Sequence, residues 1–232
     1  MKAIKLFSAG ALTLCLLASS GCSNMTNLGK GAAIGGGGGA AVGAGLGALI
    51  GGGKGAGIGA VVGAAVGSGA GMLIGKKMDQ QQKELEQQLA DKAKIETIQD
   101  QNGLQAIKVT FEGGILFPTN GTTLSSSAKK DLTAFATNLI NNPETNVQVF
   151  GFTDNTGGMA VNQRISDGRA DAVRNYLINS GVAGSRITAQ GIAMADYIAS
   201  NATAEGRAQN RRVEVYITAN QQMIQQAEAG TL

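Results

Sequence analysis

The chain has 232 residues, 36 of them Gly, with 2 Cys, no His and a formal net charge of +3. That length leaves room for one core domain of ordinary size plus extra segments. The lack of His removes the commonest general base and the commonest metal ligand. If an N-terminal segment holding Lys2 and Lys5 is removed, 17 cations face 16 anions and the balance is +1, far from the basic stripe that nucleic-acid binding needs. Cys15 and Cys22 both lie at the start of the chain, so no disulfide framework can brace the body of the protein. No metal or cofactor is expected.

Residues 1–21 have the form of a secretory signal: Lys2 and Lys5 supply positive charge, 6–18 is apolar, and Ser19-Ser20-Gly21 are small residues ahead of a cut. The apolar core is too short to span a bilayer. Cys22 follows directly, and the run resembles a bacterial lipoprotein lipobox, which implies lipidation on Cys22 after cleavage. Ser19 stands where that motif usually has Leu. A lone exposed thiol suits an oxidising compartment poorly, which favours the lipid. Ser23 comes next; the resemblance implies sorting to the outer membrane, because inner-membrane retention in enterobacterial lipoproteins is marked by Asp there.

After a short linker, 22–30, comes a glycine tract. Gly31, 35, 39, 43, 47, 51, 55, 59, 63, 67, 71 and 75 repeat at a spacing of four. That spacing lays small residues along one helix face and lets another backbone approach closely. Two helices, 31–50 and 55–75, joined at Gly51-Gly52-Gly53-Lys54, are expected to form a hairpin that resembles the glycine zippers of bacterial envelope lipoproteins. About twenty helical glycines cost on the order of 15–20 kcal/mol relative to Ala. Such a hairpin must therefore pack on itself, on other copies or into lipid; unpacked, it would be a flexible linker. Self-association through 31–75 follows from the packed reading. Gly53-Lys54 is not a phosphate loop, since Gly55 stands where Ser or Thr is required.

Residues 76–94 read as a polar helical spacer, with Leu85 and Leu89 one turn apart. A folded domain is expected over 95–220, with 221–232 as a C-terminal tail. Strands at 95–99 and 104–111 flank Asn102-Gly103, a hairpin signal. Apolar 115–117 ends at Pro118. A helix then enters through Ser125-Ser126-Ser127 and stops at Pro143. A strand at 147–152, a helix at 160–179 ended by Gly181, a strand at 186–190, a helical turn at 204–209 and a strand at 213–218 complete the order. Strands alternating with amphipathic helices predict an α+β fold, a mixed sheet with helices on one face.

Several spaced motifs carry a family resemblance. They are Gly151-Phe152-Thr153-Asp154, Asn162, Ile165-Ser166-Asp167-Gly168-Arg169-Ala170, Gly191, and Asn201-Ala202-Thr203-Ala204-Glu205-Gly206-Arg207 running into Asn210-Arg211-Arg212-Val213-Glu214. Over 105–218 the chain resembles the OmpA-like domain that holds peptidoglycan; with its lipobox and glycine tract, the whole resembles outer-membrane lipoproteins of the YiaD type. Pro118, Ile165 and Asp196-Tyr197 depart from the family pattern, the first and last in loops beside the site. The resemblance implies a ligand, the diaminopimelate of the peptide stem, with Asp154 as partner of its ammonium and Arg169 as bidentate partner of its carboxylate. Asn162 and Arg211 follow as supporting contacts. On charge alone, Asp154 and Arg169 read as a structural ion pair or as a solvated turn and helix face, and Arg212 reads as surface. The expected function is a non-catalytic tether from outer membrane to cell wall, with the domain in the periplasm. The alternative is an OmpA-like subunit of a secretion or motor complex. A hydrolase using Asp154 and Asp167 is disfavoured, because the domain has neither His nor Cys to offer a nucleophile system.

Overall fold

The computed structural model describes residues 69–100, 102–118 and 120–232. The cleavage site, Cys22 and most of the glycine tract lie outside the described residues. Five strands form one sheet: β1 (Lys94–Gln99), β2 (Gln105–Glu112), β3 (Thr145–Phe152), β4 (Ile187–Ile192) and β5 (Arg212–Ala219), in the order β1-β2-β5-β3-β4. All neighbours are antiparallel except β3 and β4, whose parallel pairing requires a crossover. That crossover is the long helix between them.

The helices are α1 (Ala70–Gln88), α2 (Gly113–Leu116), α3 (Ser126–Asn141), α4 (Met159–Asn179), α5 (Ala204–Asn210) and α6 (Gln221–Glu228). Local chemistry sets their ends. Ser125 caps α3 by accepting from the Ala128 N–H at 3.0 Å, Thr203 caps α5 through Gly206 N–H, and Asn220 caps α6 through Met223 N–H. Beyond α4, Gly181 takes φ +104°, the left-handed turn-off that glycine accepts most readily.

Strand alternation sorts the sheet into two faces. Ile107, Val109, Phe111, Val147, Val149, Val213, Val215 and Ile217 meet the helices in one core. Phe150, Phe152 and Tyr216 point to the other face. The mixed sheet with helices on one face is thus as expected.

Two terminal segments differ from the sequence reading. The spacer and the end of the glycine tract are one continuous helix, α1, and it does not stand away from the domain. Ala70, Ile74, Met78, Gln81, Leu85 and Leu89 line one side of it and are buried in the common core, a spacing of about 3.6 residues. Dividing the segment at 75/76 split that stripe and left only two apolar positions visible. Lys77 bridges Glu144 at 2.9 Å, and Gln81 Nε2 donates to Asn138 Oδ1 at 3.0 Å. The C-terminal segment is no loose tail either: α6 buries Met223, Ile224 and Ala227 and lies against α1. Among the described residues, no helix is long and apolar enough to cross a membrane.

Candidate ligand-binding site

The site forms where β3 ends and α4 begins. Asp154 follows the strand and is 5% exposed. Its Oδ1 accepts from the Thr156 N–H at 2.8 Å, an Asx turn that bends the chain toward α4. Its Oδ2 accepts from Arg211 Nη1 at 2.6 Å. Burial pushes the Asp154 carboxyl up, but the Arg211 hydrogen bond and the Thr156 N–H outweigh it and hold the group below its ordinary range.

Arg169 lies about three turns into α4 and is 3% exposed. Its Nε donates to the Gly121 carbonyl at 3.1 Å, and its guanidinium carbon sits 5.3 Å from the centre of the Phe117 ring. Among the described residues no carboxylate lies within ion-pair reach of Arg169. Among the described residues its two terminal nitrogens make no hydrogen bond. Burial, then the charge of Arg211, lower its pKa, and Asp154 partly offsets them; a guanidinium remains charged throughout.

The predicted residues therefore converge, with their pairing changed. Asp154 does not pair with Arg169, as a structural ion-pair reading would have it; it pairs with Arg211. Asn162 is buried, and its Nδ2 donates to the carbonyls of Thr156 and Gly158 at 2.9 and 3.3 Å. Its amide closes the turn under Asp154. Asp167 is similarly engaged: its Oδ1 accepts from the Gly191 N–H at 2.9 Å and both its oxygens accept from Gln163. It pins α4 to β4.

Two glycines set the height of Arg169. Gly151 and Gly191 are register partners on β3 and β4. A Cβ on Gly151 would collide with the Ser166 carbonyl oxygen, and one on Gly191 with the Asp167 backbone nitrogen. The backbone of α4 thus rests directly on the sheet, a close approach that only glycine permits. Pro118, a departure from the family pattern, lies against Gly121, the residue whose carbonyl holds Arg169. Gly113 N–H donates to the Arg211 carbonyl at 2.6 Å and fixes the other arginine by its backbone.

The sequence reading missed what lies on the opposite sheet face. Arg212 is 2% exposed, not a surface residue. Its Nε donates to Glu214 Oε1 at 2.6 Å, its Nη2 to the Asp196 carbonyl at 2.9 Å, and its guanidinium stacks 3.8 Å from the Phe152 ring centre. Lys108 also reaches Glu214 Oε1, at 3.0 Å, and Tyr216 donates its hydroxyl to Glu214 Oε2 at 2.6 Å. Burial pushes Glu214 up, but Arg212, Tyr216 and Lys108 hold it below its ordinary range. Burial and Glu214 push the Tyr216 hydroxyl well above its ordinary value. The signal was legible: 212, 214 and 216 share one face of a strand whose other face is Val213, Val215 and Ile217. Arg212 and Asn210 hold the 193–203 loop, Asn210 Oδ1 accepting from the Ile198 and Ala199 N–H groups at 2.9 and 3.0 Å. Met194 and Asp196 take positive φ there, 51° and 50°.

In chemical terms the corner holds one carboxylate and two guanidinium groups. One guanidinium is fixed and unpaired; the other rests on the carboxylate. Such a corner has donors to offer an anion.

Residues 116–211 match the OmpA family, and residues 1–79 match the YMGG-like Gly-zipper. The chain is 45% identical over 112 residues to the probable lipoprotein YiaD of Escherichia coli (strain K12), covering 48% of this chain and 51% of that protein. It is 41% identical over 112 residues to the peptidoglycan-binding protein ArfA of Mycobacterium tuberculosis, covering 48% of this chain and 34% of that protein. The chain therefore spans about half the length, or less, of these curated relatives. Among solved structures, a putative MotB-like protein from Desulfovibrio vulgaris aligns with a TM-score of 0.55 at 26% identity, over 64% of this chain and 94% of that one. The cell wall anchor of the T6SS from Pseudomonas aeruginosa aligns with a TM-score of 0.51 at 31% identity, over 59% of this chain and 97% of that one. Over residues 116–211 the chain is thus similar to the OmpA family, behind a segment similar to the YMGG-like glycine zipper.

Proposed function

We propose that this protein is a lipid-anchored outer-membrane protein that binds peptidoglycan non-covalently and tethers the envelope to the cell wall. The observation that carries this is Arg169: buried, fixed by Gly121 and Phe117, and, among the described residues, without a partner for its two terminal nitrogens. A buried guanidinium in that state suits an incoming carboxylate, bidentately. Asp154, below its ordinary pKa and so ionised at neutral pH, suits an ammonium. Diaminopimelate carries both groups on one carbon at its free end. Arg211 stands beside both as a second cation, while Asn162 holds the turn. The relative ArfA is named as peptidoglycan-binding, which supports the same ligand class.

Two charge-assisted bonds of about 1.5–3 kcal/mol each, less ordering costs, give modest affinity per site. Many copies on one murein mesh hold by multivalency. Lipidation of Cys22, self-association through 31–75 and the placement of the domain in the periplasm complete the reading. Co-sedimentation with purified murein tests it. The wild type should pellet, and Asp154→Ala and Arg169→Ala should each stay in the supernatant; binding retained by both variants removes the corner from the site. Murein turbidity should not fall, as it would for a hydrolase. Mass spectrometry of the mature N-terminus should show a diacylglyceryl group on Cys22.

A second reading, subunit of an envelope secretion or motor complex, is favoured by the likeness to the MotB-like protein and the T6SS cell wall anchor. Stoichiometric recovery of inner-membrane partners after crosslinking would support it; recovery of murein alone would exclude it.

A further inference from the structure

Arg211 and Arg169 serve the same corner but are held differently. Arg169 is tied down by Gly121 and Phe117 and is almost fully enclosed. The Arg211 side chain is 39% exposed, and its only side-chain partner among the described residues is Asp154. Its backbone is pinned, since the Gly113 N–H donates to its carbonyl, so the side chain can pivot from a fixed base. Asp154 has Oδ2 occupied by Arg211 and Oδ1 by the Thr156 N–H. An ammonium that approaches Asp154 therefore meets a carboxylate with both oxygens already engaged, and it competes with Arg211 for it.

The charges decide which ammonium can do so. The free corner holds two guanidinium groups and one carboxylate, a sum of +1. A simple amine that displaced Arg211 would raise the sum to +2 in a partly buried site, with no new acceptor for either arginine. A group carrying ammonium and carboxylate on one carbon leaves the sum at +1. It also hands Arg211 and Arg169 a carboxylate in exchange for the one surrendered. Like charges crowded out of water are costly, and the cost rises as the local dielectric falls.

We infer that Arg211 is the specificity-determining residue of this corner: it occupies Asp154 in the free protein and yields it only to a zwitterionic amino-acid head, so that simple amines are refused. The inference rests on the proposed reading that Asp154 and Arg169 form the ligand site, and it adds what that site rejects.

Three ligands of one carbon skeleton test it: diaminopimelate with two zwitterionic heads, lysine with one, and cadaverine with none. Each is titrated by calorimetry into the full chain, in detergent, as wild type, Arg211→Gln and Arg211→Lys. The wild type should bind diaminopimelate and lysine, with cadaverine weaker by about 100-fold or more. Arg211→Gln should bind cadaverine about tenfold better than wild type and diaminopimelate several-fold worse, closing the gap to a few-fold. Arg211→Lys keeps the charge and should keep most of the refusal. Thermal unfolding checks that each variant is folded. If Arg211→Gln folds and its ratio of diaminopimelate to cadaverine affinity is unchanged, or if it loses both ligands, the inference is overturned. Should Arg211→Gln not fold, Arg211→Lys decides, because a selectivity collapse with the charge retained overturns the inference as well. Failure of the wild type to bind diaminopimelate at all overturns the proposed function itself, and this inference with it.

Discussion

Arg211 and Arg212 are sequence neighbours and serve opposite kinds of structure. Arg212 points to the sheet face away from the helices, into a cluster with Lys108, Glu214, Tyr216 and Phe152 in which every charged group has a partner. Arg211 points to the β3–α4 corner, where a second guanidinium, Arg169, has no acid partner among the described residues. Both clusters are largely buried and both place two cations near one carboxylate. Donor satisfaction separates them: a buried cluster that fills its own valences holds the fold, and one that leaves directed donors open is built for something that arrives.

Breaking that distinction should affect stability most on the closed side. Glu214→Ala leaves the buried Arg212 and the half-buried Lys108 without an anion and should cost about 3–5 kcal/mol by denaturant unfolding. Full stability in that variant would mean that the closed cluster does not brace the sheet. Leu85→Ala, which opens a cavity under α1, should cost about 2–5 kcal/mol. An effect below about 0.5 kcal/mol, the size of an ordinary surface change, would mean that α1 stands free of the domain after all. Gly191→Ala should cost about 1–3 kcal/mol by forcing α4 off the sheet, and murein co-sedimentation should weaken because Arg169 moves with the helix. Asp154→Ala should cost only about 1–2 kcal/mol yet remove murein binding, the reverse of the balance expected for Glu214.

Acid gives the smallest effect and sharpens the comparison from the other direction. Both Asp154 and Glu214 have lowered pKa values in the folded state. The stability each contributes is therefore present above the unfolded carboxylate value and is lost only as pH falls through the lower folded one. Unfolding free energy and murein co-sedimentation should both stay flat from about pH 8 to about pH 5 and decline only below about pH 4. A decline of either near neutral pH would contradict the ionised state of these two groups.

Much of this was legible in the amino-acid sequence. The strands and helices of the domain declare themselves because alternation and helical spacing are local patterns, and Asn102-Gly103, Ser125 and Gly181 mark their ends by their own backbone chemistry. Asp154, Arg169 and Arg211 stand out because the motifs around them are spaced in a recognisable order. What was hidden was shared between segments. The stripe of α1 runs from Ala70 to Leu89 across a change in composition, so neither half looked amphipathic enough to dock. Arg212 looked like surface because a charged residue reveals its burial through partners distant in the chain, here Phe152 and Asp196.

By itself, the sequence determined the order of the five strands and of α3, α4 and α5 between them, the two faces of the sheet and the choice of residues at the corner, since each follows from side chains acting on their own backbone. Only the tertiary structure decided which charge meets which. Asp154 is 57 residues from its partner, and an ion pair is chosen by which groups the packed sheet and helices bring within reach, a matter on which local spacing is silent.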